Sequence, residues 1–183
     1  AKWISDLKVD DIITFVVAAN DGDTRQTKIV VKYGDQSFEV AIEQTDGIIF
    51  EAKVLTGEYY GEYYTPDAGN YYISFSDKGF DENGNRLSDA TYYQLDLYGE
   101  LFEGEAENGF IPIPEGKYKL DLMNTMALGT IGYDYSRYIK DSHTEQQVEA
   151  SFDAAELVVD ADGNYTLSAI ISGQKHYVKF SGE

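Results

Sequence analysis

The sequence predicts an all-β protein, with a small β-module followed by an antiparallel β-sandwich or barrel domain. Three observations predict this. Aromatic residues make up 14% of the chain, and 16 of its 183 residues are tyrosine; Tyr and Phe favour the pleated, half-buried surface of a strand. Apolar runs are short, alternate with polar residues and stop at glycine, as antiparallel strands separated by turns do. No stretch carries the apolar period of an amphipathic helix, and the segment Ser142 to Ala150 has room for one or two helical turns at most.

The first part reads as three strands. Asp11 to Ala19 is apolar and β-branched, and the turn cluster Asn20-Asp21-Gly22-Asp23 ends it. Thr27 to Tyr33 follows, then the tight turn Gly34-Asp35, then Ser37 to Glu43. In that last strand Phe38, Val40 and Ile42 share one face, which predicts a hairpin with one buried side. The polar segment Gln44-Thr45-Asp46-Gly47 marks the boundary, because beyond it the texture changes from Val and Ile to Tyr. The expected domains are therefore residues 1–45 and 46–183.

The second part repeats one device three times. A glycine, one residue and a strand-opening tyrosine recur as Gly69-Asn70-Tyr71, Gly116-Lys117-Tyr118 and Gly163-Asn164-Tyr165. Further strands are expected over Phe50 to Leu55, Tyr92 to Tyr98, Ile131 to Ile139, Glu149 to Val159 and His176 to Phe180, the last in a hairpin turning at Gly173-Gln174. Many short strands with glycine turns indicate a sandwich or a barrel.

Composition removes several functions. Asp and Glu outnumber Lys and Arg 33 to 14, a formal charge of −19. That field repels phosphate backbones and argues against nucleic acid as a partner. There is no cysteine, hence no disulfide and no thiol chemistry. The opening residues Ala1 to Asp6 carry no apolar signal core, and the abrupt start predicts a chain cut from a longer precursor.

Motifs for catalysis are also missing. The only histidines are His143, in a polar loop, and His176, in the last strand, and no Gly-x-Ser-x-Gly elbow exists in the sequence. Among 33 acidic residues some pair always lies at glycosidase spacing, so paired carboxylates carry no specificity. No catalytic residue is therefore named, and no cofactor. Asp160-Ala161-Asp162-Gly163-Asn164 and Asp81-Glu82-Asn83-Gly84-Asn85 echo the opening of a calcium loop. Their glycine stands fourth rather than sixth, however, and in the loop from Asp160 the twelfth position is Ile171 rather than the closing glutamate. The simpler reading is a hairpin turn, and no metal ligand is named.

A family resemblance adds to this reading. Trp3-Ile4, Phe15 to Asn20, Thr24 to Val31 and Val40 to Gln44 resemble the second half of a BACON module, an immunoglobulin-like domain common in Bacteroidetes surface proteins. Asn20, Thr24-Arg25 and Gln44 carry the pattern, whereas the first strands of the module have no counterpart. The remainder, through Gly57 to Gly61, Gly69 to Tyr72, Ile113 to Tyr118 and Gly163 to Tyr165, resembles the Tyr-rich β-domains that follow such modules in surface lipoproteins, some of them labelled cell-adhesion proteins. The resemblance implies a partial immunoglobulin-like module over residues 1–45. It also implies export to the cell surface, with any lipid anchor outside this sequence.

The tyrosines are the candidate ligand-binding residues. Tyr59, Tyr60, Tyr63, Tyr64, Tyr71 and Tyr72 form three doublets within fourteen residues. Neighbours in a strand face opposite sides, so one ring of each doublet should pack inward and the other stand exposed. Exposed Tyr stacks on sugar rings or anchors a protein partner, while the plainer reading is cross-strand packing. Trp3 fits a core role. The expected function is non-catalytic surface binding or adhesion, with a glycan or a surface protein as ligand. A structural spacer is the alternative, and a polysaccharide-active enzyme stands behind both.

Overall fold

The computed structural model of the protein describes residues 1–10, 12–18, 20, 23–44, 46–104 and 111–181. Asp11, Ala19, Asp21, Gly22 and Thr45, which the sequence reading placed in a strand, its turn and the boundary segment, lie outside the described residues. The fold is all-β, with no helix among the described residues. Ser142 to Ala150 forms none either. The Ser142 hydroxyl accepts from the backbone N–H of Thr144 and Glu145, which turns the chain locally, and Val148–Ala150 is a short strand. Backbone contacts divide the chain into two compact units, residues 1–48 and 49–183.

The first unit holds four strands rather than the three expected: β1 Ile4–Val9, β2 Ile13–Val17, β3 Arg25–Tyr33 and β4 Gln36–Gln44. They form two antiparallel pairs, β1 with β2 and β3 with β4. β1 escapes a periodicity reading because its ladder is interrupted. The register shifts between Ser5 and Lys8, and Asp6 takes a positive φ of 51°. β3 and β4 pair without interruption from Arg25–Gln44 to Tyr33–Gln36, closed by Gly34 at φ 59°.

The two hairpins are tied by side chains named in the resemblance. The Arg25 guanidinium donates to Ala18 O at 2.6 Å and to Gln44 Oε1 at 2.7 and 2.9 Å, and it lies 4.6 Å from the Trp3 ring centre. Gln44 Nε2 donates to the same Ala18 carbonyl, and Asn20 Nδ2 donates to Gln44 O. The family-like residues thus form a polar clamp. The apolar cover is thin: Ile29 is buried, Val40 and Ile42 are half-buried, and Phe38 is 55% exposed. The expected buried face of that hairpin is therefore only half covered, because a two-stranded sheet has little opposite it to bury against.

The second unit carries β5 Ile48–Glu51, whose first residue is the last of the first unit, β6 Val54–Gly61, β7 Gly69–Ser76, β8 Thr91–Gly99, β9 Gly116–Asp121, β10 Thr130–Lys140, β11 Val148–Ala150, β12 Ala154–Val159, β13 Asn164–Ile171 and β14 Gln174–Ser181. They form one sheet in the order β5-β14-β13-β12-β9-β10-β8-β7-β6, with β11 on β10. Its two ends are one continuous segment. Ala52 N donates to Lys179 O on β14 at 2.8 Å, and Lys53 N donates to Ser76 O on β7 at 2.9 Å. Residues 48–61 therefore close the sheet into a barrel and leave no open edge there.

Alternation fills the interior. Tyr71, Ile73 and Phe75 of β7, Tyr93, Leu95 and Leu97 of β8, and Leu157, Leu167 and Val178 of the opposite wall are all buried. Phe75 meets Tyr165 and Phe180 across the barrel at 5.7 and 6.3 Å, and Phe50 meets Tyr93 at 5.1 Å. Each such side chain contributes about 1.5–3 kcal/mol by leaving water. The last hairpin turns at Ser172-Gly173, one residue before the expected position, with both residues at positive φ.

The recurring Gly-x-Tyr device has more than one cause. Gly163 sits at φ 76° in a turn, where a side chain would be strained. Gly69 has no such φ; a Cβ there would stand 2.9 Å from the Tyr59 ring, so glycine makes room for an aromatic neighbour.

Candidate functional site

The tyrosine-rich connection from β6 to β7 lies at the end of the barrel ladder. β6 stops pairing regularly between Tyr59 and Gly61, and Gly61 turns the chain at φ 59°. Tyr59 points inward, packs on Tyr71 at 4.7 Å and accepts a hydrogen bond from Phe102 N. Tyr71 is fully buried and donates to Glu100 O. Alternation turns these two of the six candidate tyrosines toward the barrel core, Tyr71 buried and Tyr59 half-buried against it.

The other four lie on the outside. Tyr60 is 41% exposed, Tyr63 79% and Tyr64 50%. Tyr64 meets Tyr60 edge-on at 6.0 Å and Tyr63 edge-on at 4.9 Å, so the three rings form one exposed aromatic string. Their turn is held by Asp67 N, which donates to Glu62 Oε1. Tyr60 donates a short hydrogen bond to the Glu58 carboxylate, and that bond pushes its phenol pKa up to about 12. Tyr72 is half-buried on the outer face, within electrostatic reach of Tyr60.

Beneath them a polar network covers the outer face of β7 and β8. Asp96 is only 5% exposed. Asn70 Nδ2 donates to its Oδ1 at 2.6 Å and Tyr98 OH to its Oδ2 at 3.2 Å. Burial raises the Asp96 pKa, and the two hydrogen bonds pull the other way. Burial also raises that of Tyr98, with Asp96 adding to it and Tyr64 and Tyr135 adding less.

A bulge in β10 shapes this surface. Gly132 pairs with Asp96, but the next pair is Arg137 with Gln94, so residues 133–136 loop out of the ladder. The Ser136 hydroxyl donates to Gly132 O and accepts from Asp96 N, which satisfies the groups the bulge leaves open. Glycine is required at 132, because a Cβ would stand 2.7 Å from Asp96 Oδ2. The bulge pushes Tyr135 out to 66% exposure near Tyr98. Sequence reasoning placed Tyr135 inside a regular strand and missed it. The only available signal was Gly132-Tyr133-Asp134-Tyr135, a glycine opening an alternating aromatic pair.

The histidines stand apart from each other. His143 is exposed, and both its Nδ1 and its backbone N–H face the Asp89 carboxylate. His176 is buried, with Nδ1 2.8 Å from Tyr93 OH. The acidic turns use their carboxylates internally. Asp160 accepts from the N–H of Asp162 and of Asn164 and from Asn164 Nδ2, and Asp81 does the same with Asn83 and Asn85. These bonds lower both carboxyl pKa values.

Such carboxylates are acceptors of turn N–H groups, as in a hairpin turn. Added calcium is therefore expected to leave the melting temperature unchanged, while Asp160→Ala lowers it in calorimetry. A saturable calcium-dependent rise that Asp162→Ala abolishes would overturn the turn reading.

Comparison of the chain with protein-family models, with curated proteins and with solved structures returned no match.

Proposed function

We propose that the protein is a non-catalytic surface-binding or adhesion protein that takes a glycan or a surface protein through Tyr60, Tyr63 and Tyr64. Tyr72 and Tyr135 flank the site. The observation that carries this is the exposed string of three edge-packed rings. Rings in mutual contact lose little freedom on binding and present flat amphipathic faces. Glu58 and Glu62 stand beside them as acceptors for hydroxyl or amide donors. Monomers seldom leave such clusters in water unless they make a contact there. The proposed setting is the cell surface, supported by the resemblance of residues 3–44.

Each ring contributes on the order of 1 kcal/mol, so a single site binds weakly and avidity from many copies matters. The test is a glycan array and a panel of surface proteins probed with wild type and with the Tyr60, Tyr63, Tyr64→Ala variant. Loss of binding is expected, at an unchanged melting temperature. A folded variant that binds as wild type does would make the tyrosines packing residues and the protein a spacer.

A further inference from the structure

The opposite wall of the barrel carries a groove that the tyrosine string does not reach. The outward residues of β9, β12, β13 and β14 lie in register. Lys119, Glu156, Ser168 and Tyr177 form one row, and Lys117, Val158, Thr166 and Lys179 the next. Ala154, Ile170 and Lys175 form a third row on the other side of the first. The first and third rows line a groove of about 470 Å³ with a mainly apolar floor, to which Leu122 also contributes.

The arrangement of charge is unusual for this protein. The second unit has nine basic side chains, and four of them, Lys117, Lys119, Lys175 and Lys179, are exposed on this one face. Two stand on β9 and two on β14, strands three spacings or roughly 14 Å apart, with Lys119 and Lys175 lining the groove and Lys117 and Lys179 in the row beside it. Between them lie hydroxyls, aliphatic side chains and the half-buried Tyr177. Glu156 faces Lys119 at 3.4 Å, and Asp153 Oδ2 accepts from Gly173 N. An exposed pair of that kind exchanges readily for a ligand carboxylate.

We infer that this groove is a second ligand site, and that its ligand is an acidic polysaccharide, a chain of sugar rings bearing carboxylates. The lysines of β9 and those of β14 hold carboxylates on separated residues of the chain, while Tyr177 and Ile170 take the apolar face of a ring between them. Ser168 and Thr166 supply hydroxyl partners. An extended acidic peptide fits less well, because β12 and β13 are paired on both sides and have no free backbone groups for an added strand. Against a net charge of −19, a local cationic face selects anions only at short range, within a Debye length of about 8 Å at physiological salt.

The test uses the full chain and titration calorimetry with oligogalacturonate, with the same oligomer methyl-esterified, and with polyglutamate. Oligogalacturonate should bind. The Lys117, Lys119, Lys175, Lys179→Gln variant should weaken binding by about tenfold or more, and so should raising the salt well above physiological. These side chains are exposed, so the variant should melt as wild type does. Tyr177→Ala should also weaken binding. The Tyr60, Tyr63, Tyr64→Ala variant should not, so this site stands or falls independently of the first. The inference is overturned if oligogalacturonate fails to bind at millimolar concentration, if the esterified oligomer binds as well, or if the lysine variant binds like wild type. Equal binding of polyglutamate would make the face a general anion surface and overturn the saccharide assignment.

Discussion

Leu97→Ala is expected to cost about 2–5 kcal/mol and to lower the melting temperature by roughly 5–15 °C. Leu97 has no exposed surface and stands on β8, which is paired on both sides within the sheet. It faces inward between Tyr71 of β7 and Ile131 of β10, with which it is paired in register, and both are buried. Removing three carbons there leaves a void that closed strands on either side cannot fill, so the cavity cost adds to the lost transfer energy. Leu122→Ala is the control. Leu122 is 63% exposed, so a change within about 0.5 kcal/mol is expected. Urea titration of both variants checks the pair, and a Leu97 loss below about 1 kcal/mol would mean that the barrel is not one cooperative core.

Most of the barrel was legible because its strands obey a local rule. β8 and β13 alternate in sequence as they do in space, and glycine marks the start of β7 and β9. The places where legibility failed share one physical feature, a break in the ladder. β1 was missed because its register slips around Asp6, and the exposed Tyr135 was missed because the bulge after Gly132 reverses the expected facing. No local pattern states that a strand will shift by several residues; the shift is decided by Ser136 and Asp96, forty positions apart. The doublet rule behaved in the same way. It holds for Tyr59-Tyr60 and Tyr71-Tyr72, which lie in strands, and fails for Tyr63-Tyr64, which lie in a turn and are both exposed. Closure of the barrel by residues 48–61 was equally invisible, since the pairing partners of Ala52 and Lys53 are far away in the chain.

Acid is expected to destabilise the protein through His176. The ring is 3% exposed, Tyr93 OH lies 2.8 Å from Nδ1, and the Tyr93 and Tyr138 rings stand at 5.8 and 5.2 Å. With the ring hydrogen on Nε2, the neutral Nδ1 accepts the phenol hydrogen; protonation turns Nδ1 into a donor and places a charge among buried rings. Burial accordingly lowers the His176 pKa below the ordinary 6.5. The unfolded chain takes its proton at the ordinary value, and the folded chain only at a lower pH. This contribution is therefore fully present above pH 6.5 and is lost as the pH falls from there toward the folded value. The slope cannot exceed about 1.4 kcal/mol per pH unit for one proton. Asp96 acts in the opposite sense. Its raised pKa means that the folded state takes a proton before the unfolded one, so stability is regained as the pH falls toward 3.8. The two groups are separated by substitution. In urea titrations at pH 7.5, 6.5 and 5.5, His176→Phe should start less stable than wild type, because Tyr93 OH loses its partner. Its stability should then decline less, so that the gap narrows by up to about 1 kcal/mol at pH 5.5. Parallel curves for the two proteins would show that His176 is not the acid-sensitive group.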